Sequence, residues 1–130
     1  MVNVYNYYYD SVLEDGKDFI KNAVDSGDYN AETDFDDEVY EDMFESDEVC
    51  RNCFTYNYEY DDQMVMEAFF DKEIMDGLRF DFDFGAYGFS QIAGKGDEGK
   101  GYLDSTIRCW MLGNVSPELE AYFKTLVNHA

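Results

Sequence analysis

The chain has 130 residues, which is enough for one domain with a hydrophobic core but too few for two. Apolar residues make up 45% of it and aromatic residues 18%, so the composition excludes an acidic disordered tail and predicts a single folded domain over residues 1–130. Against 9 Lys and Arg stand 30 Asp and Glu, a net charge of −21 that opposes compaction unless it faces water, counter-ions or a basic partner. Phosphates and anionic lipids would repel such a chain, so direct binding to nucleic acid or to a membrane surface is not expected.

The N-terminal sequence and the cysteines bear on location. The opening MVNVYNYYYD lacks the basic and apolar regions of a signal peptide, and no apolar stretch approaches the ~18 residues of a membrane span. Cys50, Cys53 and Cys109 are an odd number and too few for a secreted disulfide framework. We therefore expect a cytoplasmic protein whose cysteines are free thiols.

The charge is concentrated in one part of the chain. Residues 1–83 contain 25 acidic and 5 basic side chains, whereas residues 84–130 contain 5 and 4. Residues 22–50 contain 12 carboxylates and no Lys or Arg, so helical i,i+4 pairs cannot neutralise them locally. This is the densest feature of the sequence.

Helical periodicity predicts three helices in the first part of the chain, over residues 8–25, 35–48 and 61–76. In the first, the apolar face comprises Val12, Phe19, Ile20, Ala23 and Val24. In the second, the inward positions are Phe35, Val39, Met43 and Phe44, and the outward positions are Asp36, Asp37, Glu41, Asp42, Glu45 and Glu48. The third begins favourably at Asp61 and Asp62 and is expected to stop at Gly77.

Alternating patterns predict strands between and after these helices. Aromatic residues alternate with polar ones over residues 54–60 and 80–84, and a third alternation covers 105–112. A Gly-rich loop is expected over 85–101, with a short strand at 86–92, and a last helix over 116–128 with Ser116 as N-cap and Pro117 in its first turn. The predicted fold is α+β, with three to four helices packed on a small, mainly antiparallel sheet.

Two patterns offer metal ligands. Cys50 and Cys53 have C-x-x-C spacing, but a tetrahedral zinc site would need Cys109 and His129 from distant positions, and the acidic surroundings disfavour a reactive thiol. An EF-hand-like spacing of oxygen ligands begins at Asn30, yet Phe35 occupies the position of the essential Gly. The ligands of that pattern would be Asn30, Glu32, Asp34, Asp36, Glu38 and Glu41. We expect no metal and no cofactor, although the sequence leaves both metal patterns open.

Catalytic patterns are weak. The one histidine, His129, is next to the last residue, and Gly94-Lys95-Gly96 lacks the remainder of a phosphate-binding loop. Asp81 and Asp83 could form a pair of catalytic carboxylates, but a solvent-facing side of a strand explains them equally well. We therefore expect a protein without enzymatic activity.

The acidic residues suggest mimicry of nucleic acid. B-DNA carries one charge per ~1.7 Å of axis, and carboxylates three or four positions apart on a helix lie ~5–6 Å apart, so two acidic helices approximate two rows of phosphates. Tyr29 and Tyr40 could stack on arginines of a partner. The candidate partner-binding residues are Asp34, Asp36, Asp37, Glu38, Glu41, Asp42, Glu45, Asp47, Glu48, Tyr29 and Tyr40.

The stretches YYYDSVLEDGKDFIKNAV, VYEDMFESDEV and FTYNY resemble the opening of small acidic bacteriophage proteins. The overall character is similar to phage anti-restriction and anti-CRISPR nucleic-acid mimics. The resemblance covers the first 60 to 70 residues and carries over no individual functional residue. It implies a protein of the host bacterial cytoplasm that inhibits a CRISPR-Cas effector or a restriction enzyme.

Two functions follow as expectations. In the first, the chain binds a basic nucleic-acid-binding protein, a host defence nuclease or effector complex, and occludes its nucleic-acid-binding surface. In the second, it is an acidic adaptor or assembly protein that binds a basic partner through aromatic anchors, with charge serving solubility. Self-association as a homodimer is left open in both.

Overall fold

A computed structural model describes residues 3–51, 60–82 and 97–128. These residues form helices α1 (Val4–Asp25), α2 (Glu41–Glu45), α3 (Asp62–Ala68), α4 (Lys72–Phe82) and α5 (Asp97–Val127), with a π-helical turn, π1 (Phe35–Tyr40), running directly into α2. No strand occurs in these ranges, so the predicted α+β fold with an antiparallel sheet is wrong for the described chain, which is helical.

The helix α5 forms the centre of the fold. It contacts α1 most extensively and also packs against π1, α3 and α4. Tyr5 contacts Trp110, Tyr9 bonds Glu118 and Gly16 faces Leu119. Because later residues of α1 meet later residues of α5, the two helices run side by side in the same direction.

The central position of α5 explains why its sequence was misinterpreted. A helix surrounded by other elements is buried on most of its circumference and shows no amphipathic period. All residues from Leu103 to Arg108 are buried, as are Trp110, Met111 and Leu112. The strand predicted over 105–112 is therefore part of this helix, and the apparent alternation of Ile107, Cys109 and Met111 with their neighbours does not separate two faces.

The start of the last helix also differs from the prediction. The helix runs through Ser116 and Pro117 without a break, so Ser116 is not an N-cap. Pro117 removes one helical hydrogen bond. Burial of Val115, Leu119 and Phe123 along the same helix offsets that loss. Residues 97–101 of the predicted Gly-rich loop are the first turn of α5, and residues 85–96 lie outside the described ranges.

The helix predicted over 8–25 is confirmed as α1, which begins earlier. Asn3 caps it, since Asn3 Oδ1 accepts hydrogen bonds from the backbone N–H of Tyr5 at 2.8 Å and of Asn6 at 3.3 Å. Val12 and Ile20 are fully buried, and Phe19, Ala23 and Val24 are half-buried against the core. The chain leaves the helix at Gly27, whose φ of 86° is in the left-handed region that glycine adopts without strain.

The helix predicted over 61–76 is two helices. Asp61 caps α3 through its bond from the N–H of Met64, at 3.0 Å, and Asp71 begins α4 by accepting from the N–H of Ile74, at 2.9 Å. Gly77 does not end a helix but lies inside α4. The strand predicted over 80–84 is wrong for residues 80–82, which are the last turn of α4, and the strand predicted over 54–60 falls almost entirely outside the described residues.

Candidate functional site

The segment that follows α1 is densely acidic. We call residues 28–48 the acidic segment; its carboxylates are Asp28, Glu32, Asp34, Asp36, Asp37, Glu38, Glu41, Asp42, Glu45, Asp47 and Glu48. All of them are exposed. The outward positions predicted over 35–48 are thereby confirmed, but the helix predicted over that range is wrong in its bounds: a π-helical turn and α2 end at Glu45, and Glu48 lies in the turn that follows.

The π-helical turn determines which residues of this segment face inward. Phe35, Val39 and Met43 are buried at intervals of four residues, a spacing that suits the wide π turn. Asp34 caps the turn by accepting a hydrogen bond from the N–H of Asp37, at 2.8 Å. Phe44, predicted to point inward, is exposed instead, because at about 100° per residue it lies well away from the face that carries Val39 and Met43.

The carboxylates of the acidic segment form no ion pair with the described residues, whereas Lys21 pairs with Asp25 and Lys100 with Asp62 elsewhere on the surface. Within the described chain, their charge is left to water and counter-ions. A surface of this kind attracts cations and repels polyanions at long range, and the attraction is screened by salt.

The two tyrosines of the candidate site have different environments. Tyr29 is buried, its ring packs edge-on against Phe123 at 6.2 Å, and its hydroxyl donates to the Asp42 carboxylate at 2.6 Å. Burial, followed by this hydrogen bond and the charge of Asp42, raises the pKa of Tyr29. Tyr40 is half-buried and stacks on Phe44, with centroids 6.5 Å apart. In this conformation Tyr40 and Phe44, rather than Tyr29, offer aromatic surface to a partner's arginine.

A groove of about 800 Å³ lies between α1 and the acidic segment. Its aromatic walls are Phe19 and Tyr29. Its carboxylates come from both sides and are Asp15, Asp18, Asp28, Glu38, Asp42 and Glu48, with no Lys or Arg among the lining residues. We call this hollow the acidic groove. Two facing rows of like charge make it suitable for a cationic group and unsuitable for an anionic one.

The metal patterns of the sequence acquire no geometric support in the described residues. No group of three or more His, Cys, Asp or Glu in these ranges is arranged to hold a metal ion. The Asn30 side chain instead accepts from the N–H of Glu32, at 2.8 Å, as part of a turn. Cys53 and His129 lie outside the described residues. Cys50 packs against α5, where its carbonyl accepts a hydrogen bond from Ser105 Oγ and its side chain interacts with Cys109.

The catalytic patterns likewise have no geometric support in the described residues. Asp81 accepts a hydrogen bond from the indole N–H of Trp110, at 2.8 Å, so its carboxylate is engaged in packing α4 against α5. Asp83 and the Gly94-Lys95-Gly96 sequence fall outside the described ranges.

The helices that are described include none long and apolar enough to cross a bilayer.

A buried polar cluster between α1 and α5 was not anticipated from the sequence. Arg108 donates from Nε to the carbonyl of Val49 at 2.7 Å and from a guanidinium nitrogen to Ser11 Oγ at 2.8 Å, and it also contacts the Asp15 carboxylate. Tyr8 donates to Asp104 at 2.7 Å. These hydrogen bonds join α1 to α5. A buried arginine has no sequence signal of its own, so only the fold reveals this role.

Comparison with protein-family models, with curated protein sequences and with solved structures found no match to this chain.

Proposed function

We propose that this chain inhibits a nucleic-acid-binding defence protein of a bacterial host, a CRISPR-Cas effector or a restriction enzyme, by covering its basic nucleic-acid-binding surface. The observation that carries the proposal is the acidic segment, whose eleven carboxylates are all exposed and form no ion pair in the described part of the chain. Such a surface competes with phosphates for Lys and Arg, because association releases counter-ions from both partners.

The arrangement of the charges supports mimicry in particular. Asp18 on α1 lines the acidic groove together with Glu38 and Asp42 of the acidic segment. Two rows of carboxylates on neighbouring elements approximate the two phosphate strands that a nucleic-acid-binding protein contacts. Tyr40 and Phe44 supply adjacent stacking surface for arginine.

Three variants with equal loss of charge test this proposal. Each has one Asp→Asn and two Glu→Gln substitutions at exposed residues whose side chains form no hydrogen bond or ion pair in the described structure. The groove variant is Asp18→Asn, Glu38→Gln and Glu48→Gln; the outer variant is Asp36→Asn, Glu41→Gln and Glu45→Gln; the control variant is Asp10→Asn, Glu14→Gln and Glu73→Gln. Asp34 and Asp42 are left intact because their side chains form hydrogen bonds within the acidic segment. Asp37 is left intact as well.

The experiment is capture of bacterial proteins on each immobilised variant at low and moderate salt, with identification of the bound proteins by mass spectrometry. We expect nucleic-acid-binding nucleases or effectors on the wild type and on the control variant, displacement by added duplex DNA, and a loss of about tenfold or more on the groove or the outer variant. A captured protein should lose its own DNA binding when the wild-type chain is added. Equal capture by all three variants would refute the proposal.

The adaptor function has one observation in its favour. Phe70, in the turn between α3 and α4, and Phe80, near the end of α4, are 87% and 89% exposed. Large apolar side chains on a surface serve as anchors for protein partners. If Phe70→Ser with Phe80→Ser abolishes capture while the groove and outer variants retain it, the adaptor function is the correct one.

A further inference from the structure

The side chains of Cys50 and Cys109 interact although 59 positions separate them in the sequence. Cys50 ends the turn that follows the acidic segment, and Cys109 lies in the middle of α5. Both cysteines are free, so the interaction is not a disulfide in this structure.

The main chain around Cys50 is anchored to the same stretch of α5 that carries Cys109. Ser105 Oγ donates to the carbonyl of Cys50, and Arg108 Nε donates to the carbonyl of Val49, each at 2.7 Å. Cys109 follows Arg108 directly and lies one helical turn after Ser105. These two bonds hold the main chain at Cys50 against the stretch of α5 that carries Cys109.

The two thiols differ in access and in acidity. Cys50 is completely buried, whereas Cys109 is partly exposed. The hydrogen bond from Cys50, together with the positive charge of Arg108, lowers the pKa of Cys109 against the opposing effect of burial. The same hydrogen bond and burial raise the pKa of Cys50. Cys109 is therefore the thiol that an oxidant reaches and the one that is more readily ionised.

We propose that Cys50 and Cys109 are a redox-active pair that hydrogen peroxide converts into an intramolecular disulfide joining the end of the acidic segment to α5. The C-x-x-C spacing of Cys50 and Cys53 points to a different pair, so this assignment comes from the fold and not from the motif. It is independent of the proposed function.

The reaction balances with peroxide as the oxidant. The Cys109 thiolate attacks one peroxide oxygen, the O–O bond breaks and hydroxide leaves, which gives a sulfenic acid at Cys109. The Cys50 sulfur then attacks the Cys109 sulfur, the S–O bond breaks, and the departing hydroxide takes the Cys50 proton as water. In sum, two thiols lose two electrons and two protons, and one peroxide becomes two waters.

The disulfide would restrict the chain between residues 50 and 109. A cross-link that closes a loop of this length removes much of the entropy of the unfolded chain. We expect the Tm of the oxidised protein to lie above that of the reduced protein by roughly 10 °C. Addition of a dithiol reductant should reverse the shift.

Tryptic peptide mapping tests the assignment, because trypsin separates all three cysteines. Cleavage at Lys and Arg places Cys50 in the peptide 22–51, Cys53 in 52–72 and Cys109 in 109–124. After peroxide treatment of the full chain, we expect peptides 22–51 and 109–124 to be joined and the intact mass to fall by two hydrogen atoms. The joined peptide should persist in Cys53→Ser and disappear in Cys109→Ser.

The wild-type map decides the question even if a Cys50 variant fails to fold. A link between peptides 22–51 and 52–72, or disulfides only between separate chains, would overturn the proposal. So would retention of titratable Cys50 and Cys109 thiols in the wild type while surface methionines are already oxidised. A Tm shift that is equally large in Cys109→Ser would exclude the pair as its cause.

Discussion

The indole ring of Trp110 on α5 lies directly against the backbone of Gly77 on α4. A Cβ atom at position 77 would lie 2.2 Å from the indole Cε2 and Cζ2 atoms. The ring is held in this position, because its N–H donates to Asp81, one turn further along α4, at 2.8 Å. The close approach of α4 to α5 therefore requires the absence of a side chain at Gly77.

The substitution Gly77→Ala should consequently destabilise the fold. The rigid indole cannot yield as a flexible side chain could, so overpacking of about 1–3 kcal/mol should exceed the gain of about 1 kcal/mol in helix propensity. Urea unfolding followed by circular dichroism measures the difference. Gly113→Ala is the matched control, since its Cβ would meet only Tyr40 Oη at 3.6 Å, an ordinary contact. Gly113→Ala should stabilise α5, and a Gly77→Ala protein that is equally stabilised would show that the ring can move.

Gly77 also illustrates what the sequence can and cannot predict about the fold. Periodicity located α1 because one face is apolar and the other is polar. It failed for α5, which is surrounded by other elements, and for the break at Asp71, where one capping side chain divides the predicted helix 61–76 into α3 and α4. A glycine near the end of an amphipathic stretch is typical of a helix stop, whereas here it is a packing site. Tertiary contacts, which the local pattern does not contain, decided the cases of α5 and Gly77, whereas the break at Asp71 depends on a local capping bond.

More of the candidate site than of the fold could be predicted from the sequence. Exposure of Asp36, Glu41 and Glu45 followed from their charge and from their positions opposite Val39 and Met43. Burial of Tyr29 and its bond to Asp42 could not be predicted, because they depend on Phe123 from the other end of the chain. The acidic groove likewise requires Asp18 and Glu38 to meet across two elements.

Arg108 should be one of the most sensitive residues of the core. Its side chain is only 2% exposed, and it joins α5 to Asp15 and Ser11 on α1 and to the carbonyl of Val49. Arg108→Ala would leave the partly buried Asp15 without its counter-charge and two further groups without a donor, so we expect a loss of about 3–5 kcal/mol in the free energy of unfolding.

The substitution Arg108→Lys tests whether the positive charge of Arg108 or its hydrogen-bonding geometry stabilises the fold. Lysine keeps the positive charge but lacks the planar fork that reaches three acceptors at once, so it should recover only part of the loss. The exposed Lys124→Ala is the control, because its ion pair with Glu120 lies on the surface and contributes little. Equal stability of Arg108→Lys and the wild type would contradict the role assigned to the three hydrogen bonds.

Repulsion within the acidic segment should be measurable as a dependence of stability on salt. The outer variant, Asp36→Asn with Glu41→Gln and Glu45→Gln, removes three charges that have no ion-pair partner in the described structure. Its Tm should exceed that of the wild type at low ionic strength, and the difference should shrink towards 1 M salt, where the Debye length is only about 3 Å. The control variant has its three substitutions spread over α1 and α4, so its Tm at low ionic strength should rise less. A Tm difference that is unchanged by salt would point to local packing rather than to repulsion.

Asp104 should make the stability of the protein depend on pH in a direction opposite to that of an ion-paired carboxylate. It is buried, accepts a hydrogen bond from the Tyr8 hydroxyl at 2.7 Å, and lies 3.9 Å from an Arg51 guanidinium nitrogen. Burial raises its pKa, although the Tyr8 bond and the charges of Arg108 and Arg51 act against that rise. Between the ordinary Asp value of about 3.9 and the raised native pKa, the folded state holds a proton that the unfolded state has released. The contribution of Asp104 to stability therefore falls as pH rises through this window and is regained on acidification.

Comparison of Asp104→Asn with the wild type by urea unfolding from pH 4 to pH 8 isolates this contribution, with Asp10→Asn as an exposed control. The free energy of unfolding of the wild type relative to Asp104→Asn should decrease as pH rises and become constant above the native pKa of Asp104. Tyr8→Phe should extend the decrease to higher pH, because it removes the hydrogen bond that favours the ionised carboxylate, and should cost about 1–3 kcal/mol at neutral pH. A difference between wild type and Asp104→Asn that increases with pH would mean that the charges of Arg51 and Arg108 outweigh burial, and that Asp104 is stabilised as the anion.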